Sequence, residues 1–220
     1  KKMTKLAQDY KLETGPYNKI MPKLVREGLI PLTTKEIMEH RIKAIQSKDK
    51  DDFDFWLNNY FDTRTGLAYR DNKLIVIPKS ELLLNITPKT KLNNGSIPLT
   101  QEQWNELSKE YEVIPRNKVI SGKKLTEEEA KQHPIWFKLA HEDKSLLNEY
   151  IDLIFAKAKE RYNYNKNMGI YLTDDQKQPA LSSWYLMDHW SNAIVRDYRY
   201  DNSRLFGART QNLEQKLVNT

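Results

Sequence analysis

Residues 143–162, DKSLLNEYIDLIFAKAKERY, decide the fold class. Leu146, Leu147, Tyr150, Ile151, Ile154, Phe155, Ala158 and Tyr162 recur at steps of three and four, which puts them on one apolar stripe of a helix about 17 residues long. Glu149, Asp152, Lys157, Lys159, Glu160 and Arg161 take the solvated side, and Asp143 or Ser145 is placed to cap the first turn. A helix with a single apolar stripe must lay it on another layer, so this one reads as a core-packing element and not a partner-binding one.

Immediately upstream, His133 to Ala140 predicts a short helix with Pro134 tolerated in its first turn. Three earlier segments share one grammar: Leu32-Thr33-Thr34-Lys35-Glu36, Leu99-Thr100-Gln101-Glu102-Gln103 and Leu125-Thr126-Glu127-Glu128-Glu129. In each, the threonine hydroxyl can accept the backbone N–H three residues on, while the Glu or Gln there reaches back to the threonine N–H. These capping boxes predict helices over about 34–46, 101–110 and 127–131, with Leu32 and Leu99 stapled onto Ile37 and Trp104. The sequence between them does not repeat, so the recurrence is helix-start chemistry.

Strands fill the rest. Gly66 to Arg70, then Asp71-Asn72, then Lys73 to Ile77 is a two-residue turn between β-rich runs and predicts a hairpin. Met168 to Leu172, Leu181 to Met187 and Ser203 to Gly207 predict a second, small, mostly antiparallel sheet behind the long helix. Pro115, Asn117, Ser121, Gly122 and neighbouring lysines mark a boundary or long loop near 115–125. The expected class is α+β: capped helices and a hairpin in region 1–120, then the long helix and small sheet in region 121–220, as two regions or one continuous domain.

Composition narrows the chemistry. The 220 residues can bury a core without staples, and the absence of cysteine excludes disulfides, thiolate zinc sites, iron–sulfur clusters and cysteine nucleophiles. Thirty-six basic against 30 acidic residues leave a net charge of +6, interspersed as in Lys48-Asp49-Lys50-Asp51-Asp52, which reads as a solvated surface. No apolar run is long enough to cross a bilayer, and Lys1 to Leu6 lacks the apolar core of a signal peptide, so the expectation is a soluble protein, cytoplasmic or virion-associated. All seven glycines are isolated, which removes phosphate-cradling loops, and no G-x-S-x-G elbow occurs. His40, His133, His141 and His189 lack metal-ligand spacing and are expected as surface or capping residues. Asp49, Asp51, Asp52 and Asp54 lack the glycine and distal glutamate of a calcium loop, and read as a solvated linker before a core group of Phe53, Phe55, Trp56, Tyr60 and Phe61. No metal or cofactor is expected.

The stretch from Trp184 to Arg209 is too polar for a core strand and too aromatic for a passive loop. Tyr185, Asp188, His189, Trp190, Asn192, Arg196, Asp197, Tyr198, Arg199, Tyr200, Asp201 and Asn202 form its candidate ligand-binding set. Tyrosine and tryptophan supply contact area at low entropic cost and asparagine adaptable hydrogen bonds, the composition of a paratope. A protein or glycan is the expected partner. Single-stranded nucleic acid, stacked on Tyr198, Tyr200 and Trp190 with Arg196 and Arg199 on phosphates, is the alternative; Asp188, Asp197 and Asp201 would repel it. An enzyme built on Asp188, His189 and Tyr198 is a third reading.

Met168-Gly169-Ile170-Tyr171-Leu172, Trp184-Tyr185-Leu186, Ser191-Asn192-Ala193 and Arg204-Leu205-Phe206-Gly207 give this C-terminal run a frame of apparent fixed points. It resembles the C-terminal region of retroelement-diversified variable proteins of phages, bacteria and small-genome archaea, over about 40 of the 220 residues. Ser203 stands where that pattern has glycine, and Ile194-Val195 are atypical of it. The resemblance implies that residues between the fixed points descend from Asn-type codons altered by adenine-directed mutagenesis. It also implies that they are displayed for ligand binding on a C-type-lectin-like scaffold.

Overall fold

The computed structural model describes residues 10–47, 49–93, 96–188, 191–195 and 203–209. In chain order the elements are β1 (Tyr10–Gly15), α1 (Tyr17–Arg26), β2 (Leu29–Pro31), α2 (Thr34–Ser47), α3 (Lys50–Leu57), β3 (Phe61–Arg70), β4 (Lys73–Ile77), α4 (Glu81–Leu84) and β5 (Ile97–Pro98). There follow α5 (Gln101–Glu110), β6 (Ile114–Pro115), α6 (Glu127–Gln132), α7 (Pro134–Leu139), α8 (Lys144–Tyr162), β7 (Ile170–Tyr171), β8 (Ala180–Leu186), β9 (Ala193–Val195) and β10 (Ser203–Arg209). The class is α+β.

All three capping boxes form. Thr33 N–H donates to Glu36 Oε2 at 2.7 Å while Glu36 N–H donates to Thr33 Oγ1 at 3.3 Å. Thr100 with Gln103 and Thr126 with Glu129 close reciprocally in the same way. α8 starts on Asp143, whose carboxylate accepts Leu146 N–H at 3.0 Å, and ends where Asn163 turns left-handed at φ 55°. Its stripe is buried from Leu147 to Ala158, but Tyr162 is 38% exposed and lies beyond the core. The acidic run is helix, not linker: Asp49 accepts Asp52 N–H at 2.9 Å and starts α3, which buries Trp56 and Leu57.

The β3–β4 hairpin turns through Asp71 at φ 45° and Asn72 at φ 59°, the two positive values its right-handed strand twist favours. Leu67, Tyr69, Leu74 and Val76 enter one core with α2, α3, α7 and α8, while Ala68, Ile75 and Ile77 enter a second with α1, α4 and α5. Alternate side chains point to opposite faces, so the hairpin is buried on both.

The C-terminal strands do not form a sheet of their own. One ten-stranded sheet runs β1-β10-β3-β8-β9-β7, with β2 on β10, β4 on β3, β5 on β8 and β6 on β4. The β3–β10 and β7–β9 pairs are parallel and the rest antiparallel. The reason lies in strand length. β3 has ten residues and β4 five, so β4 covers only Gly66 to Arg70 and leaves the Asp62 end of that edge for β10. β8 takes the other edge from Phe61 to Tyr69, across a register shift between Asp62 and Gly66.

Candidate ligand-binding surface

β8 buries every residue except Tyr185, β9 all but Ile194, and β7 leaves Tyr171 half-buried. Tyr171 pairs with Ile194, Ile194 with Tyr185, and Tyr185 with Asp62. Directly paired residues share a face, so these four form one row across four strands. Asp62, only 1% exposed, accepts Arg204 N–H at 2.8 Å through Oδ2. The Arg204 guanidinium lies 4.9 Å from the centre of the Tyr60 ring and donates to Asn59 Oδ1. Tyr60 in turn meets Tyr185 edge-on at 6.2 Å. Tyr60 therefore leaves the core aromatic group expected for it and joins a half-buried cluster of Tyr185, Arg204 and Asn59.

The turn between β8 and β9 is anchored from inside the protein. Arg41, fully buried on α2, donates through Nε to Trp56 O at 3.0 Å and through Nη2 to Asn59 O at 3.1 Å and Met187 O at 2.5 Å. Its Nη1 donates to Tyr150 Oη at 3.0 Å and Ser191 Oγ at 3.1 Å, and Tyr150 also donates to Ser191 at 2.9 Å. Three main-chain carbonyls and two hydroxyls thus solvate one buried charge, a role that the planar five-donor fork of arginine fits.

Asn192 departs from the expected surface set: it is 7% exposed, and its Oδ1 accepts Gly169 N–H at 2.7 Å. Ala193 N–H returns to Gly169 O at 3.0 Å, and Met187 N–H to Asn192 O at 2.9 Å. Gly169 is needed for close approach, because a Cβ there would sit 2.7 Å from Lys123 O. Asp188 is half-buried and its carbonyl accepts Ser191 N–H at 2.7 Å. His189, Trp190, Arg196, Asp197, Tyr198, Arg199, Tyr200, Asp201 and Asn202 lie outside the described residues. The strand residues that border 196–202 are paired, Val195 with Trp184 and Ser203 with Gly15.

Sequence reasoning missed Arg41, Asn59, Tyr60 and Tyr171 as parts of this surface or its support. No local signal marks Arg41, whose acceptors come from three separate segments, at 56–59, 150 and 187–191. Tyr60 and Tyr171 could have been separated from core aromatics only by knowing the register.

Elsewhere, His133 Nδ1 accepts Ile135 N–H at 3.3 Å, which leaves Nε2–H to donate to Ile120 O at 2.9 Å. Burial holds its pKa below the usual histidine value, with the Ile120 bond opposing. His133 is thus a helix cap. Among the described residues no group of three or more His, Asp or Glu is placed to hold a metal ion, and no helix is long and apolar enough to cross a membrane.

The sequence matches no protein-family model and no curated protein. A solved structure from work on the accommodation of massive sequence variation in Nanoarchaeota by the C-type lectin fold superposes with a TM-score of 0.70 at 17% identity. The superposition covers 91% of this chain and 96% of that one, so the likeness extends far beyond the C-terminal run. At this identity it is a likeness of fold, and the fold is that of C-type lectins.

Proposed function

We propose that this is a non-enzymatic binding protein that presents residues 185–202 to a protein or glycan, as a retroelement-diversified variable protein would. The row of Tyr171, Ile194 and Tyr185, extended by Tyr60 and Arg204, carries the reading. It is a half-buried aromatic platform beside strands whose connections hold the Tyr- and Arg-rich positions, and Tyr and Arg dominate interface energetics. The fold shared with a structure described in terms of massive sequence variation supports it further. Within 185–204, Arg196, Arg199 and Arg204 are matched by Asp188, Asp197 and Asp201, a balance that favours a mixed-charge partner over a phosphate backbone.

Screening the chain against arrays of surface proteins and glycans should yield a ligand whose binding weakens at least about 30-fold in Tyr198→Ala/Tyr200→Ala, with Tm unchanged. Undiminished binding by that variant, or its unfolding, would overturn the proposal. A steep loss of binding with salt would turn the assignment to nucleic acid. Copies in closely related genomes should differ chiefly within 185–203.

A further inference from the structure

The Arg204 guanidinium is held in place by a chain of contacts that starts in the core. Asn59 is fixed first: Arg41 Nη2 donates to its carbonyl at 3.1 Å, and its own Nδ2 donates to Phe55 O at 2.8 Å. That second bond sets the orientation of the amide and leaves Oδ1 to accept from Arg204 Nη1. The next residue, Tyr60, lays its ring 4.9 Å from the guanidinium carbon. β10 holds the other end of the side chain, since Arg204 N–H donates to Asp62 Oδ2 at 2.8 Å and its neighbours Ser203 and Leu205 are buried. An arginine side chain on a protein surface ordinarily keeps most of its rotamer freedom, and this one has lost it.

The groups that hold Arg204 do not neutralise it. An amide oxygen and a phenol ring carry no net charge, and Arg204 forms no ion pair with any described residue. Arg41 spends all three of its nitrogens on internal acceptors; among the described residues Arg204 spends one of its five guanidinium N–H groups. The residue is half-buried, yet none of its nitrogens is both shielded from water and unbonded, so the remaining donors reach solvent. An oriented cation with open, planar donors suits a carboxylate: the fork meets two oxygens at once, and little ordering is left to be done when the partner arrives.

We propose that Arg204 is a carboxylate anchor of the binding surface, contributed from outside residues 185–202, and that it takes an aspartate or glutamate side chain of a protein partner. This rests on the reading of the Tyr60–Tyr185 face as a ligand-binding surface. The surroundings favour a protein over a glycan. The guanidinium already occupies a face of the Tyr60 ring on which a sugar could stack, and Ile194, between Tyr185 and Tyr171 in the row, offers nothing to hydroxyl groups. Aromatic and aliphatic contacts around a carboxylate–guanidinium pair are instead the anatomy of a protein hot spot.

The probe is N-acetylglutamate, titrated into the full chain beside its uncharged counterpart N-acetylglutamine, with the Arg204 Nε–Hε and Tyr60 ring resonances followed by NMR. Saturable shifts at both positions are expected with the carboxylate and none with the amide. Arg209, exposed at the end of the same strand, is the internal reference and should respond at least about fivefold more weakly. Arg204→Lys keeps the charge without the fork and should weaken probe binding, read at Tyr60, at least about tenfold. Tyr60→Leu should weaken it at least about threefold, read at Arg204, by removing the ring that orients the guanidinium. No shift at Arg204, or equal shifts at Arg204 and Arg209, overturns the anchor. Tighter binding of glucuronate or of inorganic phosphate than of N-acetylglutamate also overturns it, by pointing to an acidic sugar or a nucleic acid. Anchor and surface fail separately. A macromolecular ligand captured equally by the wild type and Arg204→Lys overturns the anchor alone, whereas a saturable probe response with nothing captured on protein arrays overturns the surface and leaves Arg204 a bare carboxylate site.

Discussion

Arg41 adds a side-chain anchor to the backbone bonds that close the β8–β9 turn: from one buried point it holds Met187 and Ser191, on either side of positions 188–190. Lysine has fewer donors and no planar fork, so Arg41→Lys as well as Arg41→Met leaves carbonyls of Trp56, Asn59 or Met187 unsatisfied. Both variants should lose about 3 kcal/mol in urea unfolding, with amide exchange protection falling most at Met187, Ser191 and Ala193. His141 contributes to the pH dependence in the same direction as His133, since burial lowers both pKa values. Burial first, then the charge of Lys35, lowers the pKa of His141 to about 4 in the folded protein, against the ordinary histidine value of 6.5 in the unfolded chain, so the folded state resists its protonation. The contribution of His141 to stability is therefore full above pH 6.5 and declines as pH falls from 6.5 toward 4, because the unfolded chain binds the extra proton. His141→Asn keeps a residue tolerant of left-handed backbone, and its urea midpoint should fall less between pH 7 and pH 5 than that of the wild type.

Among elements, the helices were the most legible, because caps and stripes depend on residues three or four apart. α8 follows from its own residues, from the Asp143 cap to the left-handed Asn163. Asp143→Ala removes the bond to Leu146 N–H and the bridge to Lys35, and should cost about 1 kcal/mol of stability in urea unfolding. The β3–β4 hairpin was equally legible from Asp71-Asn72. The acidic run before Phe53 was not, because one aspartate that caps a helix looks in sequence like any other solvated aspartate. Among the C-terminal strands, local composition revealed that they were strands and roughly where, but not which neighbour each would take.

In the whole molecule, β3 is the shared spine, paired with β4 and β10 on one edge and β8 on the other. Gly66 sits where β8 and the Ser80 turn close on it: an added Cβ would lie 2.9 Å from Leu181 Cδ1 and 3.3 Å from Ser80 Cβ. Gly66→Ala should destabilise by about 1–3 kcal/mol, read by urea unfolding, through overpacking. Replacing residues 196–202 with a Gly/Ser segment of equal length should, on the proposed function, abolish ligand capture while thermal unfolding shifts by only a few °C.

From sequence alone came what neighbouring residues decide among themselves: helix starts, the α8 stripe, the two-residue turn, the exclusion of thiol chemistry, and a paratope-like composition with its family resemblance. Tertiary structure alone decided the sheet order, the row from Tyr171 to Asp62, the burial of Asn192 and the internal solvation of Arg41. Arg41 reaches acceptors 109, 146 and 150 residues away. Contacts of that range are selected when whole layers dock, and burial is a property of what arrives from elsewhere in the chain, which no local pattern records.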